Sequence, residues 1–285
     1  MIFKDNLIKA KDHLVSGEVF EIYWDPNKGI AKTQIPSGLN ISKYYESQDY
    51  TSHNEKGTSF IDKIYSVVQN KMFRHKASLI KKASSNKTLF DFGAGLGAFC
   101  EYMKNEGYHV SGLEPMDSPR AIAKEKGLPM YKSLESIPKT ARYDIITLWH
   151  VLEHLPDPES TLETLAVHLN KKGIIVIAVP NLNSYESRFY AENWAAWDVP
   201  RHLWHFTSKG VTSLLQSKGF SLKETHPLWY DALYISYLSE KHRGSSFPFV
   251  RGIATGLLSN LKARFTGEYS SLIYVFSKSV ASEEG

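Results

Sequence analysis

The chain has 285 residues, 42% hydrophobic and 22% charged, with a net charge of +4, the balance of a globular protein able to bury a core. That charge is too small and too dispersed to point to a nucleic-acid partner. The single cysteine, Cys100, excludes an intrachain disulfide and any cysteine-based zinc site.

The first residues carry no signal-peptide pattern. The longest apolar run, residues 174–179, is far too short to span a bilayer, so a cytoplasmic protein with no membrane span is expected. Residues 1–56 differ in character from the rest and read as a small cap. Within them, stretches 18–24 and 30–35 flank Asp25, Pro26, Asn27, Lys28 and Gly29, whose turn chemistry predicts a β-hairpin. The polar, aromatic stretch 44–53 reads either as a surface loop or as a lid in which Tyr45 and its neighbours close over a ligand. Residues 58–83 then place Phe60, Ile61, Ile64, Val67, Val68, Met72 and Phe73 at helical spacing. Lys71, Arg74, Lys76, Lys81 and Lys82 read as the solvated face of that helix.

The main domain, 57–285, is organised around residues 88–99. Leu89, Phe90 and Phe92 predict a short buried strand, which ends in the glycine-rich turn Gly93, Ala94, Gly95, Leu96, Gly97 before a helix. Such a turn bends sharply and lets a ligand approach the main chain, while the amides that open the helix favour negative charge. Asp91 adds a carboxylate at the strand end. A second strand, 108–113, ends in Glu114, at about the distance where nucleotide-binding βαβ units carry a ribose-gripping acid. Strands at 128–131, 143–149 and 174–179 follow, the last after a tight turn at 171–173, alternating with helices at 114–127 and 158–170. The tail supplies a helix at 207–218, a strand at 220–225, a helical insertion at 231–266 and a last strand at 271–276. This order predicts an α/β fold with a Rossmann-like doubly wound sheet, mostly parallel with an antiparallel last strand.

Two cofactors compete for the glycine turn. Gly93-x-Gly95-x-x-Ala98 satisfies a loose dinucleotide fingerprint and leaves a nicotinamide-dependent oxidoreductase open. The same residues read Asp91-x-Gly93-x-Gly95-x-Gly97, which resembles motif I of class I S-adenosylmethionine-dependent methyltransferases. Residues 143–154 resemble the fourth-strand motif of that family, and Lys172-Gly173 its fifth. Pro200, Arg201, His202, His205 and Phe206 resemble a Pro-Arg-His-x-x-His-Phe segment of the group that includes ubiquinone-type O-methyltransferases. The resemblance covers roughly residues 86–225. It implies S-adenosylmethionine held by Asp91, Gly93, Ala94, Gly95 and Gly97, Glu114 on the ribose, Ser133 and Leu134 at the adenine, and Trp149 beside it. The charges agree: loop amides suit the cofactor carboxylate, Asp91 its ammonium and Glu114 its two ribose hydroxyls.

His150-x-x-Glu153-His154 also spells the inverted zincin motif, but it follows a buried strand directly and Pro156 cuts any helix short. In the ubiquinone-type enzymes a related segment is associated with a divalent metal. His150 stands here where that group carries an acid, so no metal is expected. Glu153 and His154 read as a structural hydrogen bond, and His150 as the first candidate general base. Residues 194–206 offer Trp194, Trp197 and Trp204 for stacking, Arg201 for an anion, and His202 or His205 for proton transfer. The same rings equally suit a rigid buried loop that caps the helix at Thr207. The expected function is methylation, at oxygen or nitrogen, of a small-molecule or carbohydrate-linked acceptor. A methyltransferase-like module that binds the cofactor without turnover is the non-enzymatic alternative.

Overall fold

A computed structural model describes residues 2–45 and 60–279. The cap begins with β1 (Leu7–Lys11), β2 (Val19–Asp25) and β3 (Ile30–Thr33). The predicted hairpin is β2–β3, antiparallel with Ile22 opposite Thr33. The anticipated lid at 46–53 lies outside the described residues; Tyr44 and Tyr45 are the part of it that is placed.

Helix α1 (Phe60–Ala83) leads into the core units β4 (Thr88–Phe92), α2 (Ala98–Asn105), β5 (His109–Leu113), α3 (Asp117–Glu125) and β6 (Met130–Tyr131). They are followed by β7 (Tyr143–Trp149), α4 (Pro158–His168), β8 (Leu169–Pro180) and the short helix α5 (Tyr185–Tyr190). The tight turn expected at 171–173 is not there. β8 starts at Leu169, which pairs with Tyr143, and the next pair is Ile174 with Ile145, so residues 170–173 bulge out of one continuous strand.

The chain finishes with β9 (Trp204–Phe206), α6 (Ser208–Ser217), β10 (Phe220–Pro227), α7 (Trp229–His242), α8 (Pro248–Thr266) and β11 (Ser271–Lys278). The seven-stranded sheet runs β10-β11-β8-β7-β4-β5-β6. Strands β8, β7, β4, β5 and β6 are parallel, and β11 is antiparallel to both its neighbours, as the sequence predicts. Residues 174–179 are all buried because both sheet faces are covered, which is why the strand reads as an unbroken apolar run. Phe90, Ile146, Ile175 and Ile177 pack on one face, and Leu89, Ile145, Val176 and Ala178 on the other. Each buried aliphatic side chain of this size contributes roughly 1.5–3 kcal/mol.

The second sheet runs β1-β2-β3-β9. Its fourth strand is therefore supplied by the chain after β8, not by the cap. Ile8, Phe20, Ile22 and Tyr44 of the cap share one apolar cluster with Leu182, Tyr190, Trp194 and Trp197.

Candidate active site

The carboxyl ends of β4 and β5 carry the glycine turn and its two acids. Gly93 and Gly95 both sit at positive φ, 79° and 53°. A Cβ on Gly93 would enter the side chain of Val151, whereas one on Gly95 would meet nothing within 4 Å among the described residues. Gly93 is thus required for packing, and Gly95 for leaving an open face where a ligand can approach the backbone. Glu114 is buried and accepts from the amides of Gly95 and Met116, each at 2.9 Å. Burial raises its carboxyl above the usual range and those two amides pull it back. Two acceptors of about four remain for hydroxyl groups. Asp91 is buried and accepts from Thr147 Oγ1 at 2.6 Å. Burial pushes its carboxyl up to about 6 against the opposing pull of Thr147 and Lys76.

Lys76 corrects the sequence expectation: it is buried, not solvated, at 6% exposure. Its Nζ lies 4.2 Å from the centroid of the Trp149 ring. Burial pulls the ammonium down to about 8, with Asp231 and Asp91 holding it up. The signal was present in the sequence, since Lys76 follows Met72 by one helical turn on the apolar side of α1. Trp149 packs edge-on against Phe99 at 5.3 Å, and its buried Nε1 has no hydrogen-bond partner among the described residues. Ser133 precedes a 3₁₀ turn, Leu134–Ser136, and exchanges hydrogen bonds with Ser136 just beyond β6.

These residues fit S-adenosylmethionine. Three carboxylates (Asp91 and Glu153 buried, Asp231 half-buried) face two cations, Lys76 and His150, so the site has room for further positive charge. A sulfonium and an ammonium supply it. An open glycine face and an unpartnered indole N–H complete the match.

Beside this site lies a cavity of about 570 Å³. It is lined by Lys11 at the end of β1 with His13 and Leu14 just after it, by His150, by residues of the 194–202 segment, and by the α7 side chains Asp231, Tyr234, Ile235, Leu238, Lys241 and His242. His150, at φ 55°, places Nε2 3.2 Å from Asp231 Oδ2 and Nδ1 3.4 Å from Glu153 Oε1. Burial disfavours its charge, but the two acids outweigh burial and raise it to about 9. The ring is held as a cation at neutral pH, the opposite of the neutral ring a general base needs.

Trp194 and Trp197 line the cavity and meet edge to face at 5.2 Å. His202 lines it too, with Nδ1 2.9 Å from the Ala196 carbonyl. Arg201 reaches it but is not free for an anion. Its Nη2 bonds Asp198 at 2.6 Å and Asp12 at 3.2 Å, at 1% exposure of the side chain. Three expected site residues fall elsewhere. His205 is buried against the Thr33 hydroxyl at 2.9 Å and the Trp197 ring, and burial holds it well below the usual histidine range, neutral and interior. Trp204 donates to the Leu155 carbonyl at 2.8 Å under the Lys32 ammonium. Tyr45 donates to the Arg201 carbonyl at 3.2 Å beside His154. None of the three lines the cavity. Asp231 was missed because it comes from an insertion distant in sequence, and no local motif marks it.

The hydrogen bond expected between Glu153 and His154 is not formed; His154 Nδ1 turns to the Arg201 carbonyl at 3.0 Å. Glu153, His154 and His202 instead bring one ligand atom each within 4.8 Å. Two imidazoles and one carboxylate suit a transition metal or zinc, not a hard, oxygen-seeking cation such as magnesium.

A seven-stranded doubly wound sheet with an antiparallel β11 between β10 and β8, a glycine turn after β4 and an acid after β5 is the class I S-adenosylmethionine-dependent methyltransferase architecture. A family model described as a methyltransferase domain matches residues 66–225, more than half of the chain, and the chain belongs to that family. Among curated relatives, the ubiquinone biosynthesis O-methyltransferase of Saccharophagus degradans is 32% identical over 108 residues, 35% of this chain and 46% of the relative. That of Serratia proteamaculans is 38% identical over 97 residues, 31% of this chain and 40% of the relative. The chain thus spans less than half the length of these relatives. In structure, it resembles magnesium protoporphyrin IX methyltransferase from Synechocystis PCC 6803 with bound SAH, with a TM-score of 0.55 and 14% identity over 83% of this chain and 97% of that one. A possible histamine N-methyltransferase from Thermotoga maritima gives 0.52 and 16% over 77% and 96%. At these identities the structures establish the fold, and they give the dinucleotide alternative no support.

Proposed function

We propose that this protein transfers the methyl group of S-adenosylmethionine to an oxygen or nitrogen of a small-molecule or carbohydrate-linked acceptor held in the cavity, in a cytoplasmic setting. One observation carries the reading: His150, directly after Trp149 at the end of β7, sets Nε2 3.2 Å from Asp231 Oδ2 in the cavity, while Lys76 Nζ stands 4.2 Å from the Trp149 ring at the cofactor end, so the two sites adjoin.

The bound cofactor supplies a methyl group already activated for transfer. Asp91 and Glu114 fix its ammonium and ribose, and the open face of Gly95 admits it to the backbone. Trp194 and Trp197 give the acceptor an apolar wall and exclude water, so the chain's main contribution is alignment. Burial raises the Asp231 carboxyl, but His150 more than reverses this, and Asp231 stays ionised. It can therefore take the hydrogen bond of the acceptor's O–H or N–H and receive the proton released on transfer. His150, pinned between Glu153 and Asp231, positions that carboxylate. Were a metal bound, Glu153, His154 and His202 would hold it, and it would supply Lewis-acid chemistry there.

Isothermal titration of the purified protein tests the reading. Micromolar binding of S-adenosylhomocysteine with no binding of NADH is expected. Silence toward S-adenosylhomocysteine would overturn it.

A further inference from the structure

Helix α8 is built inside out. Its buried face consists of Gly252, Gly256, Ser259 and Ala263. A Cβ on Gly252 would come within 2.5 Å of the Tyr237 Cα, and one on Gly256 within 2.7 Å of the Ala232 carbonyl oxygen. The small residues let α8 press its backbone onto α7. The large apolar residues point the other way: Val250, Leu257, Leu258, Leu261 and Phe265 are 40–85% exposed, as is Phe247 just before the helix at 71%. At about 100° per residue the two sets fall on opposite sides of the helix. A helix that serves only a water-soluble core reverses this arrangement. So large an exposed apolar stripe marks an interaction surface.

The charges select the occupant. Residues 241–266 contain Lys241, Arg243, Arg251, Lys262 and Arg264 and no acid. Arg264 lies on one flank of the apolar stripe, and Arg251 and Lys262 on the other. Arg251 pairs with Glu240 at 3.1 Å, whereas Lys241 and Arg264 have no carboxylate partner among the described residues. A second copy on this face would set these cations against themselves. Helix α8 does not cross a membrane, since no helix among the described residues is long and apolar enough to do so. We propose that α8 lies in the plane of an anionic phospholipid surface, its apolar stripe at the acyl boundary and its flanking cations on lipid phosphates. Apolar immersion and cationic attraction act together in such helices, and each basic residue near the surface adds to the binding. Because α8 packs on α7, and α7 lines the acceptor cavity, the bound surface would lie behind the wall of that cavity.

The full chain is sedimented with vesicles of phosphatidylcholine alone and of phosphatidylcholine mixed with phosphatidylglycerol. Binding to the mixed vesicles, weakened by salt and missing on the neutral ones, is expected. Replacing Leu257, Leu261 and Phe265 by Glu should weaken it by at least about tenfold, with S-adenosylhomocysteine affinity and far-ultraviolet circular dichroism unchanged. The milder pair Lys262→Glu and Arg264→Glu should weaken binding too. Wild-type protein that stays in the supernatant, or variants that bind as well as wild type, would overturn the proposal. So would a dimer, seen by sedimentation velocity without vesicle binding and dissolved by the same substitutions. Failure of the S-adenosylhomocysteine titration in the wild-type chain would count against the methyltransferase reading alone.

Discussion

The cofactor end and the acceptor cavity are built by different means. At the cofactor end, Asp91, the glycine turn and Glu114 come from one stretch of β4–α2–β5, and the turn is closed by its own amides, with Gly93 and Ala94 bonding the Leu113 carbonyl at 2.8 and 2.9 Å. The cavity draws residues from the cap, from the segment after β8 and from α7, far apart in the chain, and holds them by ion pairs, Arg201–Asp12 buried and His150–Asp231 half-buried. A local site is set by backbone geometry and tolerates change elsewhere. An assembled site fails when any one of its ties is cut.

The largest effect should come from cutting such a tie. Arg201→Ala leaves Asp12 and Asp198 without their shared partner and should cost about 3–5 kcal/mol of stability by urea denaturation. Arg201→Lys should recover little, because an ammonium cannot reproduce the fork that spans two carboxylates. A loss under about 1 kcal/mol would mean that the cap is held by packing alone.

At the local site the expected loss is in binding, not folding. Glu114→Ala should weaken S-adenosylhomocysteine binding by one to two orders of magnitude, roughly 1.4–2.7 kcal/mol. Unchanged affinity by calorimetry would remove Glu114 from the ribose.

His150 sits where the two sites join, and its signature is pH. Its folded value of about 9 lies above the unfolded 6.5. Its ion pairs therefore contribute fully below pH 6.5, and that contribution is lost as pH rises through 9. His150→Gln should cost about 1–2 kcal/mol at the acid end of this window, the lower part of the range for charged hydrogen bonds because the ring is partly exposed. Wild type and variant should converge above it. Turnover should slow with cofactor affinity nearly intact; an equal loss of both would move His150 into the cofactor site.

The smallest change is Gly95→Ala. Left-handed backbone strain costs about 1 kcal/mol, and nothing else stands near the new methyl group. Gly93→Ala should cost more, since Val151 must move. Equal stability losses for the two would contradict the open face at Gly95.

The same contrast explains what the sequence could disclose. The unit from Thr88 to Glu114 was readable because strand, turn and helix are contiguous and each leaves a local pattern. So was the antiparallel last strand. The cavity was readable only in part. Trp194, Trp197 and His202 line it, but nothing local distinguishes them from His205 and Trp204, whose partners Thr33 and Leu155 lie far away in sequence. Arg201 looked free because Asp12 is remote. Lys76 looked solvated because lysine usually is, although its position among Met72, Phe73, Ala77 and Ile80 placed it inward. Residues 171–173 read as a turn because Lys-Lys-Gly is turn chemistry; the Leu169–Tyr143 pairing prevails over it.

Strand β9 belongs to two structures at once. It completes the cap sheet beside β3, while Phe206 bridges Asn181 at the end of β8. The cap is therefore riveted to the frame and cannot swing on a hinge without breaking that pairing. Opposite it, the His13 and His242 rings stack at 3.8 Å across the exposed rim of the cavity. If the cavity takes the acceptor as proposed, these two packed rings set its width on that side, and His13→Ala or His242→Ala should broaden the range of acceptors while leaving Asp91 and Glu114, and so S-adenosylhomocysteine affinity, unchanged.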